Sequence, residues 1–168
     1  MQEGYRGTPL SCIEWLSRQK DGLFEVKPYK KRSLQQNDFY WLIVGILADA
    51  LKKPNAYVHN LLLRRNEVYD TLNGFEICVP LPDDDATELW VEYNDLHHYK
   101  PTLKFFETEK GKFRWYKKLK GSKEFEVSQM TRLIDLALDE LANMELMLPQ
   151  DEETLKAYEK HQERKKKQ

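Results

Sequence analysis

The sequence predicts an α+β fold: a small antiparallel sheet with a basic hairpin, packed on a cluster of helices around a buried central helix. Three observations predict it. The stretch from Phe39 to Ala48 holds no charged residue, so a helix there is enclosed on nearly all sides. Residues 103–120 alternate rings and cations about Thr108-Glu109-Lys110-Gly111, a connection of hairpin length and composition. Apolar residues elsewhere recur at three and four positions, the period of amphipathic helices.

Composition bounds the class. A chain of 168 residues with 40% apolar and 33% charged residues matches one soluble domain with a heavily charged surface. The net charge of -1 conceals segregation. Residues 100–123 hold nine basic residues against Glu107 and Glu109, whereas residues 83–95 hold six acids and no base. A local excess of +7 on a nearly neutral chain suits a confined anionic ligand better than a general coating of nucleic acid. Cys12 and Cys78 belong to no CxxC pair, which argues against a disulfide framework or a thiolate zinc site and for a reducing compartment. With no apolar stretch of membrane length and no leader pattern, the expectation is a cytoplasmic protein.

Taken in order, Pro9 suits the first turn of a short helix capped by Thr8, followed by an alternating strand, Leu23 to Tyr29. Ser33 and Gln36 have capping-box spacing, so the central helix starts at Ser33 and runs to Leu51. Lys52 and Lys53 oppose its dipole and Pro54 stops it. A second helix covers 56–70, with Asn73-Gly74 as its end, and Phe75 to Val79 alternates as a strand closed by Pro80 and Pro82. Asp83, Asp84 and Asp85 precede apolar residues at helical spacing, predicting a third helix from about Asp85 to about His97. The hairpin follows, then a short strand over 124–127, then a helix capped by Ser128 with Leu133, Ile134, Ala137, Leu141 and Met144 on one face. The segment after Pro149 offers only Leu155, Ala157 and Tyr158 to a core, so it is expected to be weakly anchored, with Arg164 to Lys167 as a basic tail.

Arg32-Ser33-Leu34-Gln35-Gln36-Asn37, with Trp41 one turn later, resembles the Arg-Ser-Leu-x-Gln-Asn signature of the phage NinB (Orf) recombination proteins and of related small proteins from phages of Gram-positive bacteria. Residues 125–134 match the same group more loosely. The resemblance implies a single NinB-like domain over residues 1–148, followed by the C-terminal helix and basic tail over 149–168. It also implies a dimeric binder of single-stranded DNA that assists recombinase loading or exchange with the host single-strand-binding protein, in the host cytoplasm if the gene belongs to a phage.

Two segments are candidates for DNA contact. Alternation puts Arg114, Tyr116 and Lys118 on one face of the hairpin and Phe113, Trp115 and Lys117 on the other, with Lys104, Lys112 and Lys120 nearby. Cations along phosphates and ring faces for unstacked bases are what a single strand calls for. The same pattern also serves a sheet edge whose rings face the core and whose lysines keep it soluble. Lys30, Lys31 and Arg32 lie at the amino end of the central helix, where free amides favour an anion, and Gln36 and Asn37 could add hydrogen bonds; equally, these residues could only shape the fold. No catalytic fingerprint, metal or cofactor is expected. Two alternatives stand: a divergent metal-dependent nuclease using Asp83 to Asp85 and His97, and an inhibitor of a host enzyme or defence system that contacts its target through the acidic helix. A homodimer is expected to cover part of Phe39, Trp41, Leu138 or Met144.

Overall fold

A computed structural model describes residues 34–167, together with Ile13, Trp15, Ser17 and Arg18 of the amino-terminal part. The chain divides into two compact units, Met1–Lys30 and Lys31–Gln168. In the first, Ile13, Trp15 and Ser17 are helical, in keeping with the short early helix. The strand expected at 23–29, the basic run Lys30 to Arg32 and the Ser33 cap lie outside the described residues.

The central helix α1, Leu34–Leu51, packs against three other helices: α2 (Asn55–Asn66), α4 (Val127–Asn143) and α5 (Glu152–Lys165). Phe39, Tyr40, Ile43, Val44, Leu47 and Ala48 are buried, as an uncharged stretch requires. Enclosure is incomplete at Trp41, which is 37% exposed. Helix α1 ends in a Schellman motif, with Lys53 N–H donating to Ala48 O at 3.0 Å and Lys52 N–H to Asp49 O at 3.2 Å. Lys53 then reaches the Tyr93 hydroxyl at 2.9 Å and lies over the Tyr57 ring, so it joins two helices as well as facing the dipole.

Helix α2 stops at Asn66, four residues before the expected end, because the next segment is recruited by a distant strand. Asp70 N–H donates to Lys118 O and Lys120 N–H to Val68 O, both at 2.9 Å. Asn73-Gly74 is therefore no helix terminator. With φ of 53° and 82° it forms the two-residue turn between β1 (Thr71–Leu72) and β2 (Phe75–Glu76), the left-handed conformation that Asn-Gly favours.

Strands β3 (Cys78–Pro82), β4 (His98–Thr108) and β5 (Gly111–Leu119) form an antiparallel sheet in the order β3-β5-β4. The hairpin is longer than its sequence pattern, and only Glu109-Lys110 separates its strands. The register shifts between Pro101 and Phe105, where β4 bulges opposite Trp115. Helix α3, Asp85–Tyr93, is capped by the Asp84 carboxylate accepting from Thr87 N–H at 2.7 Å. It stops short of His97 because the Asn94 side chain accepts from the N–H groups of Leu96 and His97, at 2.8 and 2.9 Å, and turns the chain into β4.

No strand forms at 124–127. A single 3-10 turn, Ser122–Glu124, leads into α4, whose capping box uses Glu126 and Gln129 in place of Ser128. Helix α4 buries Met130, Leu133, Ile134, Ala137 and Leu141 against α1 and α2. Helix α5 extends through Lys165, so Arg164 and Lys165 belong to its last turn and not to a tail. Its buried residues are Thr154 and His161, whereas Leu155 and Tyr158 are exposed to 43% and 38%. His161 bonds the Asp135 carboxylate at 2.8 Å, a polar anchor invisible to a search for apolar residues.

Candidate nucleic-acid interface

Alternation along β5, together with its register, sorts the hairpin into two faces. On one, Arg114, Tyr116 and Lys118 lie beside Leu81, Val79, Phe105, Pro101 and Tyr99. Tyr116 is 1% exposed, and burial raises its phenol above the usual range. Arg114 donates to Thr102 O at 2.7 Å, lies over the Phe105 ring and approaches Glu88 of α3 at 3.7 Å. Lys118 pairs with Asp70 at 2.8 Å. This face is turned to the body of the protein, so Tyr116 cannot touch a surface ligand and Arg114 is held by structural partners.

The opposite face carries Phe113, Trp115 and Lys117, with cross-strand neighbours Pro82, Pro80 and Cys78 on one side and Phe106 and Lys100 on the other. Phe106 and Phe113 stack at 5.4 Å with planes 14° apart, and Trp115 lies 5.6 Å from Phe106. All three rings are half-buried. Below them Lys100 and Lys117 stand opposite each other, paired with Glu67 and Glu76. Beyond Lys117 the same face runs into the core at Leu119. Lys104, in the bulge, and Lys112, near the tip, are exposed, and neither forms an ion pair among the described residues. Lys120 is half-buried just after the strand. Sequence reasoning did not join Phe106 to this ring cluster. Counting outward from the Glu109-Lys110 turn would have done so, since a two-residue connection sets Phe106 opposite Phe113.

The amino end of α1 contributes less than expected. Gln36 is 2% exposed and its amide donates to the Thr131 hydroxyl at 3.2 Å, which fixes α1 to α4 and removes Gln36 from the surface. Asn37 is half-buried in the first turns. Lys30, Lys31 and Arg32 lie outside the described residues.

A second polar constellation is enclosed where α1, α2 and the start of β4 meet. The Tyr40 hydroxyl and His59 Nδ1 are 2.7 Å apart, the His59 and His98 rings lie 5.0 Å apart edge to face, and His98 Nδ1 is 2.6 Å from Asn60 Oδ1. Asn60 also donates to the carbonyls of Glu92 and Asn94, both at 2.8 Å. Burial, then the neighbouring His98, pushes His59 down to about 3, and burial also lowers His98. Both imidazoles are neutral at pH 7 and act as hydrogen-bonded cross-links between elements. The nuclease constellation is not brought together: Asp84 caps a helix, His97 is exposed and His98 is buried against Asn60. Among the described residues no group of three His, Cys, Asp or Glu could hold a metal ion, and no helix is long and apolar enough to cross a membrane. No family model, curated protein or solved structure matches the chain.

Proposed function

We propose that this protein binds single-stranded DNA on the hairpin face of Phe106, Phe113 and Trp115, and that it serves as a recombination accessory of the NinB kind with no chemistry of its own. The ring cluster is the observation that carries the proposal: three half-buried aromatics on one strand face, with Lys100 and Lys117 at one end. Unpaired bases stack on such rings whatever their sequence, and lysines beside them meet phosphates. Host single-strand-binding protein or a recombinase as a partner, a homodimer and a cytoplasmic location belong to the same proposal. Of the residues expected at the dimer surface, Phe39 is buried by its own chain, Leu138 and Met144 are partly buried against the core, and Trp41 remains exposed.

The test is titration of labelled single-stranded and duplex DNA over a salt series. For single strands each phosphate contact contributes about 0.7 to the slope of log affinity against log salt, so changing Lys104 and Lys112 together to alanine should flatten it by about 1.4. Lys117 and Lys118, paired with Glu76 and Asp70, are expected to contribute less than these two. Absence of single-strand binding at low salt sinks the proposal. One observation favours a second reading, contact with a protein target. Helix α3 exposes Leu89 and Trp90 on an acidic segment, and loss of target binding in a Trp90→Ala variant that still binds DNA normally would support it.

A further inference from the structure

Resting on the single-strand reading of the hairpin face, we propose that Glu67 and Glu76 are specificity-determining residues that bias this face against duplex DNA. Each carboxylate pairs with one lysine of the ring face, Glu67 with Lys100 and Glu76 with Lys117 at 2.7 Å, while Asp70 of the same segment pairs with Lys118 of the opposite face at 2.8 Å. All three acids belong to one short segment, and the backbone fixes that segment against β5. Asp70 N–H donates to Lys118 O at 2.9 Å, Lys118 N–H to Ile77 O at 2.9 Å and Ile77 N–H to Asp70 O at 3.0 Å. The left-handed Asn73-Gly74 turn folds the intervening residues back so that Asp70 and Glu76 reach adjacent lysines. The side chains of all six partners remain partly open to solvent, so a phosphate can reach the lysines if it displaces the acids.

The consequence depends on what each ligand offers. A duplex keeps its bases stacked inside and is held outside its grooves by phosphates, so neutralising Lys100 and Lys117 weakens what this face gives it. A single strand presents unstacked bases to Phe106, Phe113 and Trp115, and that contribution is untouched by the acids. Counterion release is also steeper for duplex, about 0.9 per contact against about 0.7 for a single strand, so masked lysines penalise duplex more.

The experiment compares the full chain with a Glu67→Gln, Glu76→Gln variant, using labelled single-stranded and duplex DNA of one sequence over a salt series. Unmasking two lysines should steepen the duplex slope by about 1.8 and the single-strand slope by about 1.4. At about 0.05 M salt that difference narrows the single-strand preference by about threefold. Adding Lys100→Gln and Lys117→Gln to the variant should return both slopes to their starting values, which separates freed lysines from a disturbed fold. Unchanged slopes and an unchanged preference, with single-strand binding intact, overturn the role of the acids and leave the single-strand reading standing. Failure of the unaltered protein to bind a single strand overturns both.

Discussion

The helical half and the hairpin use the same side-chain chemistry to opposite ends. Among the helices, polar groups are consumed by the protein itself: Tyr40 by His59, Asn60 by two carbonyls, Arg64 by the carbonyls of Tyr99 and Val91 at 3.0 and 3.1 Å, Arg132 by Asn66. On the β4–β5 hairpin Phe106, Phe113 and Trp115 stay half-buried, and Lys104 and Lys112 reach solvent. Residue type therefore does not separate a binding group from a structural one. What separates them is whether the fold already supplies the partner.

The sharpest break of that comparison is a core truncation. Leu133 is fully buried on α4, so Leu133→Ala should cost about 2–5 kcal/mol of stability in urea unfolding, with single-strand affinity preserved once the protein is folded. Trp115→Ala should do the reverse, weakening single-strand binding by about 1–3 kcal/mol while the melting temperature moves little. A loss of stability as large as that of the Leu133 variant would return Trp115 to the core and erase the difference between the regions.

Acid should act on the buried histidines and not on the rings. The folded protein holds His59 at about 3, and His98 is also lowered, so as pH falls from about 6.5 the unfolded chain takes up protons first. The His59 contribution to stability is thus complete above about 6.5 and is lost on the way down towards about 3, at up to about 1.4 kcal/mol per pH unit, and His98 acts in the same direction. His59→Gln should flatten the fall in urea midpoint between pH 6 and pH 4; an unaltered profile would show that the acid response arises elsewhere. The smallest expected effect lies at the end of α4, where Glu145 takes the left-handed position of a Schellman motif with φ of 55°. Glu145→Gly should raise stability by about 1 kcal/mol, read as a higher urea midpoint, with no change in DNA affinity.

Much of the fold was legible because it rests on local signals. An uncharged stretch gave α1, Asp84 marked the start of α3, and turn composition marked the β4–β5 hairpin. Several of the errors share one physical cause, partners far away in sequence. Val68 to Asp70 has a helical pattern, yet pairing with Lys118 to Lys120 draws it out of α2. Gln36 reads as a surface amide until Thr131 is brought beside it. Tyr116 and Arg114 were assigned to a ligand because nothing in β5 itself says which face turns to the body of the protein. Lys117 and Lys118 look like open cations until the turn at Asn73-Gly74 delivers Glu76 and Asp70 to them. Ring spacing within the hairpin needed only the turn, and that part could have been counted directly.

Prolines in the sheet set how it can meet another polypeptide. Among the described strands, β3 and β4 are the two edges; β3 contains Pro80 and Pro82, and β4 contains Pro101 beside its bulge. A proline offers no N–H, and a bulge breaks the regular ladder, so neither margin presents an unbroken row of donors for an incoming strand. Edge-to-edge assembly, the usual hazard of a small exposed sheet, is thereby discouraged. The same property keeps an extended peptide from docking by strand addition, which leaves side chains on the sheet's faces, and not its backbone, as the means of recognition.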